Sequence, residues 1–356
     1  MKEGWKIVKI IDVATVVHGR DYKDVAAEQG YPVYGSGANV IAYANDYICE
    51  EGTTILGRKG TIDKPVFIEE KFWNIDTAFG IVAKECINKK YLYYGIKSID
   101  WASLNPGGVK PSLTQKIVYN QNIPLPSLAE QERIVAYLDT QFAKIDAMKA
   151  NAAKALAEAK ALFQSALTEA MTPKEGWEMK KFGELCKYRK EHIQDANMKY
   201  VGLEHIESGT GRLLDFINSS TVLSSNFKFY KGDVLYGRLR PYLKKVFVAD
   251  FDGCCSTEIF PIYSCKLNPH YIKYWFLTEE TTNKINLSSA GCRMPRGNMN
   301  EVLKYNLSLP PLPEQERIVT RLDALSAKVA ALEANYTQTV AECDALKQAL
   351  LREVFE

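Results

Sequence analysis

The chain has 356 residues, enough for two domains that each bury a core, and 25% of them are charged, as in an ordinary globular protein. No apolar run approaches bilayer length, and the opening MKEGWKIVKI lacks the regions of a signal peptide, so a cytoplasmic protein with no membrane partner is expected. Eight cysteines form no C-x-x-C pair and there are four histidines, which excludes the usual zinc spacings. The loose group Cys254, Cys255, Cys265 and His270 therefore reads as buried reduced thiols.

In chain order, the segment KEGWKIVKI (2–10) opens a block of short apolar runs and Gly-centred turns. VYGSGAN is a turn, KPVFIEE a strand, and the loop GGVKPSLTQK (107–116) leads out of the block. A helix should start near Glu130, where Ser127 and Glu130 form an S-x-x-E capping box and Glu130 and Glu132 place negative charge on the positive end of the helix dipole. The apolar stripe Ile134, Leu138, Phe142, Ile145, Ala152, Leu156, Ala159, Phe163, Ala166, Ala170 keeps the 3–4 spacing of a coiled-coil seam. Met171-Thr172-Pro173 stops it, because proline cannot continue a helix.

The sequence then begins again. KEGWEMKKF (174–182) repeats the opening at an offset of 172, KGDVLYGRLR (231–240) repeats EGTTILGRKG (51–60) at 180, and LPPLPEQERIVTRLD repeats LPSLAEQERIVAYLD at 184. The drift places insertions in loops of the second copy. KVFVAD reads as a strand, YIKYWFLTEETTNKI (271–285) as a helix, and GCRMPRGNMN (291–300) as the exit loop. A second long helix follows from Pro313, with the seam Ile318, Leu322, Leu325, Val329, Leu332, Tyr336, Val340, Cys343, Leu350. Each long helix should extend about 65 Å.

The fold class expected is α+β: two similar globular domains joined by two long helices. These pair within one chain or between chains; within one chain an antiparallel intramolecular coiled coil returns the chain without a long linker. That gives a pseudo-twofold rod with a block at each end and neighbouring termini. The domains are 1–122, 123–173 (first helix), 174–306 and 307–356 (second helix). Residues 1–122 hold 15 basic and 14 acidic side chains and residues 174–306 hold 20 and 15, so the second block carries most of the excess positive charge. No Walker A is present, since GTTILGRKG continues Arg58-Lys59-Gly60 in place of Lys-Ser/Thr, and no catalytic constellation stands out.

With its duplicated L-P-x-L-x-E-Q-x-x-I segment, and with YPVYGSGANVI, GTTILGRKGTIDKPVFIEEKFWNIDTAF, GDVLYGRLRPYLKKVFV and CCSTEIF, the chain resembles the DNA-specificity subunit of type I restriction-modification systems over essentially its whole length. The resemblance implies that each block is a target-recognition domain reading one half of a split double-stranded DNA sequence, and that the helices form a spacer. It further implies two methyltransferase subunits seated on that spacer, restriction/translocase subunits recruited through them, S-adenosylmethionine on the methyltransferase, and no catalysis, cofactor or metal in this chain. A coiled-coil adaptor that binds proteins without reading DNA is the alternative that the small net charge keeps open.

Sequence readout needs forked or amide side chains, and phosphate anchoring needs cations on exposed turns. In the first block the candidates are Tyr34, Ser36 and Asn39, then Arg58, Lys59 and Lys64, then Lys110, Ser112, Thr114 and Gln115. In the second they are Arg238, Arg240, Tyr242, Lys244 and Lys245, then Arg293, Arg296 and Asn298. Each group also reads as ordinary turn or loop chemistry. Glu130, Gln131, Arg133, Glu314, Gln315 and Arg317, taken as exposed, are either partner contacts or helix starters.

Overall fold

A computed structural model describes residues 4–107, 110–193, 197–221, 225–289 and 293–356. Lys2 and Glu3 of the first KEGW, Gly108 and Val109 of the first exit loop, and Gly291 and Cys292 of the second lie outside the described residues. The chain divides into two compact units, one of residues 1–152 and 337–356 and the other of residues 153–336.

In the first unit, Ala14–His18, Ala78–Ala83, Thr53–Gly57 and Val66–Ile68 form one four-stranded sheet in that order. Thr53–Gly57 is buried at every position, which marks it as a strand covered on both faces. A second sheet orders Ala26–Ala27, Val40–Ala44, Tyr31–Tyr34 and Trp73–Asn74, the last pair parallel. Lys6–Lys9 pairs antiparallel with Asn122–Leu125 and so ties the unit's opening to the residues just before the first long helix. That helix runs Leu128–Met171, and Ser127 Oγ accepts the Glu130 N–H at 3.4 Å, as the capping pattern predicts. The helix Lys89–Ser98, not foreseen from the sequence, packs Tyr91, Leu92 and Tyr94 into a core shared with Ile134, Leu138, Phe142 and Ile145. Leu351, Val354 and Phe355 from the end of the second long helix enter the same core, as does Trp5 from near the start of the chain.

In the second unit, Cys186–Tyr188, Ile259–Ser264, Val234–Gly237 and Val246–Val248 repeat the order of the first sheet. Among the described residues the other sheet orders His192–Ile193, Asn226–Phe229, Gly253–Ser256, Lys199–Val201 and Ile217–Asn218. Glu178–Lys181 pairs with Asn306–Leu309 ahead of the second long helix, Leu312–Phe355, whose first turn holds Pro313 as predicted. The stretch read as one helix over 271–285 is two, Pro269–Leu277 and Glu279–Leu287. Thr278 interrupts it by accepting the Thr281 N–H in the manner of an N-cap, a conformation a continuous helix cannot supply.

The long helices pair within the chain, and they run antiparallel in each unit. In the first, Lys149 bonds Asp344 at 2.8 Å while Asp146, one turn back, pairs with Lys347, one turn on. In the second, Lys160 bonds Glu333 at 2.6 Å and Glu169 meets Arg321 at 3.4 Å. Leu138, Leu167, Leu322 and Leu351 are fully buried, whereas Leu332 is exposed although it lies on the predicted stripe. Burial on the seam is therefore strongest where a helix also meets its own α+β body. Cys254 and Cys255 are buried, but Cys265 is exposed, which corrects its reading as a core thiol.

Candidate nucleic-acid interface

Two glycines start the site. Gly57 and Gly237 end equivalent central strands, and a Cβ at Gly57 would fall 1.7 Å from the Thr61 carbonyl oxygen, while one at Gly237 would fall 2.5 Å from Leu203 Cδ2. At Gly57 the clash is with backbone, so the chain can leave the sheet there only without a side chain, whereas at Gly237 the Leu203 side chain would have to move aside. The next residues are Arg58 and Arg238.

In the first unit the turn after Gly57 is stitched to the exit loop. Leu113 donates its N–H to the Arg58 carbonyl at 2.8 Å, Gly60 donates to Pro111 at 2.9 Å, and Lys59 bridges Ser112. Ser36 lies beside them, since a Cβ on Gly60 would sit 3.5 Å from its Oγ. Candidates from three separate stretches are thus brought together. Lys59, Lys64, Lys110 and Asn39 are exposed, and Arg58 is half-buried, with Nη1 donating to the Asp76 carbonyl at 3.2 Å and its guanidinium 5.8 Å from the Phe79 ring centre. Other candidates face inward or serve the loop itself. Tyr34 is 7% exposed and donates its hydroxyl to Glu70 Oε1 at 3.1 Å; burial and that bond push its pKa up to about 12. Ser112 donates its backbone N–H to Asn105 Oδ1, Thr114 caps the short helix Gln115–Tyr119, and Gln115 Oε1 bonds His18 Nε2 at 3.1 Å.

The second unit makes the same stitch. Gly297 donates to the Arg238 carbonyl at 2.8 Å, Arg240 donates to Pro295 at 2.7 Å, and Leu239 bridges Arg296. Arg240, Arg293 and Tyr242 are exposed, and Arg240 holds φ at +52°. Asn298 caps the helix Met299–Val302. Lys244 and Lys245 depart from the outward-facing reading. Lys244 is 12% exposed and paired with Glu279, and Lys245 Nζ donates to the carbonyls of Leu203 at 2.6 Å and Ile206 at 2.9 Å. Both ammonium groups brace the turn from behind.

The repeated E-Q-E-R segment has a sharper geometry than the sequence suggested. Gln131 is 0% and Gln315 1% exposed, which corrects their reading as exposed residues. Gln131 Oε1 accepts the Asn88 N–H at 2.7 Å and its Nε2 donates to the Pro126 carbonyl at 2.9 Å; Gln315 does the same with Asn268 at 2.8 Å and Pro310 at 2.9 Å. Asn88 and Asn268 each cap the helix that follows them. Three residues on, Tyr91 donates to the Pro124 carbonyl at 2.9 Å and Tyr271 to Ser308 at 3.1 Å. After three more, the hydroxyls of Tyr94 and Tyr274 bond the carboxylates of Asp139 and Asp323, and burial together with these bonds raises both phenols' pKa. The six residues Asn88, Tyr91, Tyr94, Asn268, Tyr271 and Tyr274 were not singled out, although N-x-x-Y-x-x-Y recurs in the sequence at the offset of 180. Glu130 with Arg133, and Glu314 with Arg317, form forked ion pairs of 2.7–2.8 Å on the solvent side.

Two α+β bodies, each latched to a helix start by the same polar bonds and each offering basic turns from several stretches, define a duplicated recognition scaffold. A family model described as type I restriction modification DNA specificity domain matches residues 2–157 and again 174–342. The chain belongs to this family and is a non-catalytic DNA specificity subunit. It is 24% identical to the type I restriction enzyme EcoDI specificity subunit of Escherichia coli, across 99% of this chain and 88% of that protein. It is 24% identical to the StySPI specificity subunit of Salmonella potsdam, across 71% of this chain and 60% of that one. Two solved chains share the fold. One, from a study of complex assembly and conformational transition of the type I R-M system, has a TM-score of 0.77 at 21% identity, covering 99% of this chain and 98% of its own. The HsdS subunit from Thermoanaerobacter tengcongensis has a TM-score of 0.57 at 20% identity, covering 100% and 97%. None of these supports an adaptor without DNA readout. Among the described residues no helix is long and apolar enough to cross a membrane.

Proposed function

We propose that residues 1–122 and 174–306 each read one half of a split double-stranded DNA target, and that the helical segments 123–173 and 307–356 set the gap between the halves. Two methyltransferase subunits, carrying the S-adenosylmethionine, sit on the helical segments and bring restriction/translocase subunits to the complex in the cytoplasm. The observation that carries this reading is the junction. The same glutamine, tyrosine and aspartate bonds recur beneath two bodies whose loops differ, as a scaffold with two interchangeable reading heads requires. The EcoDI relative is named a specificity subunit of a restriction enzyme, and the first solved neighbour comes from a complex, which supports the assignment of partners.

The contacts proposed for DNA are Ser36, Asn39, Arg58, Lys59, Lys64 and Lys110 in the first body, and Arg238, Arg240, Tyr242, Arg293 and Arg296 in the second. Tyr34, Ser112, Thr114, Gln115, Lys244, Lys245 and Asn298 hold these loops in place. The exposed Arg133 and Arg317, with the half-buried Glu130 and Glu314 that they pair with, are the candidates for methyltransferase contact. Residues 1–122, with 15 basic against 14 acidic side chains, give little electrostatic drive, so the isolated chain should bind DNA weakly and the partners should neutralise most phosphates. Inserting four residues in each long helix adds roughly 6 Å, about two base-pair rises of 3.4 Å. Mapping methylated positions in cells that co-express the methyltransferase should show the gap widened accordingly; an unchanged gap would rule the ruler out.

A further inference from the structure

Arg238 and Arg296 come from two loops that backbone hydrogen bonds hold side by side, and one carboxylate joins them. Glu258 Oε2 accepts Arg238 Nε at 2.9 Å and Oε1 accepts Arg296 Nε at 2.9 Å. Glu258 is itself fixed from two directions: its carbonyl accepts the Arg238 N–H at 2.9 Å, and its N–H donates to Ser256 Oγ at 3.3 Å. The Arg238 guanidinium also lies 5.3 Å from the Phe260 ring centre. Because each arginine spends only Nε on the carboxylate, the edge formed by Nη1 and Nη2 has no partner among the described residues. That edge is the two-donor fork that matches guanine O6 and N7, or a phosphate.

A lone carboxylate on a DNA-facing surface is unfavourable beside a polyanion. Between two guanidiniums it leaves a local charge of about +1 and removes rotamer freedom from two of the most flexible side chains. Among the described residues the first unit has no such carboxylate bridge. There Arg58 donates its N–H to the Thr77 carbonyl, so Thr77 stands where the second unit has Glu258, and the Arg58 guanidinium bonds a backbone carbonyl instead.

We infer that Glu258 is a positioning residue for DNA recognition, holding Arg238 and Arg296 as one forked pair aimed at the half-site read by residues 174–306. This rests on the assignment of that face to DNA. The test uses the full chain co-expressed with its methyltransferase subunit, with methylated positions mapped genome-wide and retention of the purified complex on non-specific duplex measured against salt.

Glu258→Gln, which keeps the shape and removes the charge, should relax base preference in one half of the motif while leaving the other half intact. It should also tighten non-specific retention, with a log–log salt slope steeper by about one. Glu258→Asp should restore part of the preference. An unchanged motif in Glu258→Gln, when Arg238→Ala or Arg296→Ala alters it, would overturn the inference and leave the DNA face standing. If both arginine variants leave the motif unchanged, the DNA face itself fails. Loss of both halves together with a lowered melting temperature would reduce Glu258 to a structural brace and also overturn the inference.

Discussion

The two units differ least where each body meets its long helix and most where each offers its turns. At the junctions even the atoms correspond: Gln131 with Asn88 and Gln315 with Asn268, Tyr94 with Asp139 and Tyr274 with Asp323. At the turns, Arg58 leans on a backbone carbonyl while Arg238 and Arg296 share Glu258. Beyond the parallel strand pair the chain makes a short turn over residues 35–39 in one unit, and in the other a longer excursion whose Arg212 bonds Glu333 on the helix at 2.8 Å. A junction made of buried, mutually satisfied polar groups tolerates little change, because each loss strands a partner without water. Exposed turns carry no such constraint, so they are free to differ in what they read.

The largest test of this contrast removes the latch. Gln131→Ala and Gln315→Ala each strand one buried and one part-buried backbone group, at roughly 1–3 kcal/mol apiece, so each should cost about 2–6 kcal/mol in urea unfolding of the full chain. Arg133→Ala and Arg317→Ala, which break exposed ion pairs, should cost under about 1 kcal/mol. Equal costs for the glutamine and arginine variants would break the comparison.

Next come the phenols. Tyr94→Phe and Tyr274→Phe each lose a hydrogen bond to a carboxylate, worth about 1.5–3 kcal/mol, and the two losses should match. Hydrogen exchange followed separately in Lys89–Ser98 and Pro269–Leu277 would reveal any asymmetry.

A smaller effect should separate the two junctions by pH. His270 stands where the first unit has Lys90, and burial, with Lys273 beside it, holds its pKa below 6.5 against the pull of Asp323. The unfolded chain therefore takes up this proton more readily than the folded one. The associated stability is present above about pH 6.5 and is lost as pH falls below that, toward the folded-state value. Amide exchange in Pro269–Leu277 should quicken over this window more than in Lys89–Ser98, and His270→Asn should abolish the difference.

The smallest change concerns strain. Ala38 holds φ at +52° in the turn of the first unit, a region glycine occupies without a Cβ penalty. Ala38→Gly should therefore stabilise by up to about 1 kcal/mol after the entropy glycine adds to the unfolded chain. Thermal melting would show it, and a destabilised variant would count against the strain.

Much of this architecture was written in one dimension. The repeat, the helix starts at the E-Q-E-R segments, the stop at Pro173 and the apolar seam depend on spacing and capping, which act within a few residues. For helices pairing within one chain, antiparallel packing followed from the need to return the chain, but spacing left pairing between chains equally open. The break at Thr278 was not legible, because a threonine inside an apolar run becomes a cap only once its hydroxyl meets the Thr281 N–H. Nor was the fate of Lys244 and Lys245, which composition marks as cations for solvent and the fold turns toward Glu279 and two carbonyls. Gln131 shows the same limit most clearly. Its place beside three charged residues suggested the surface, and only the packing of Asn88 against that face buried it. Local pattern determined where the elements begin and end; which polar side chains face solvent depended on partners far away in sequence, since a buried donor or acceptor must find its complement wherever the fold supplies one.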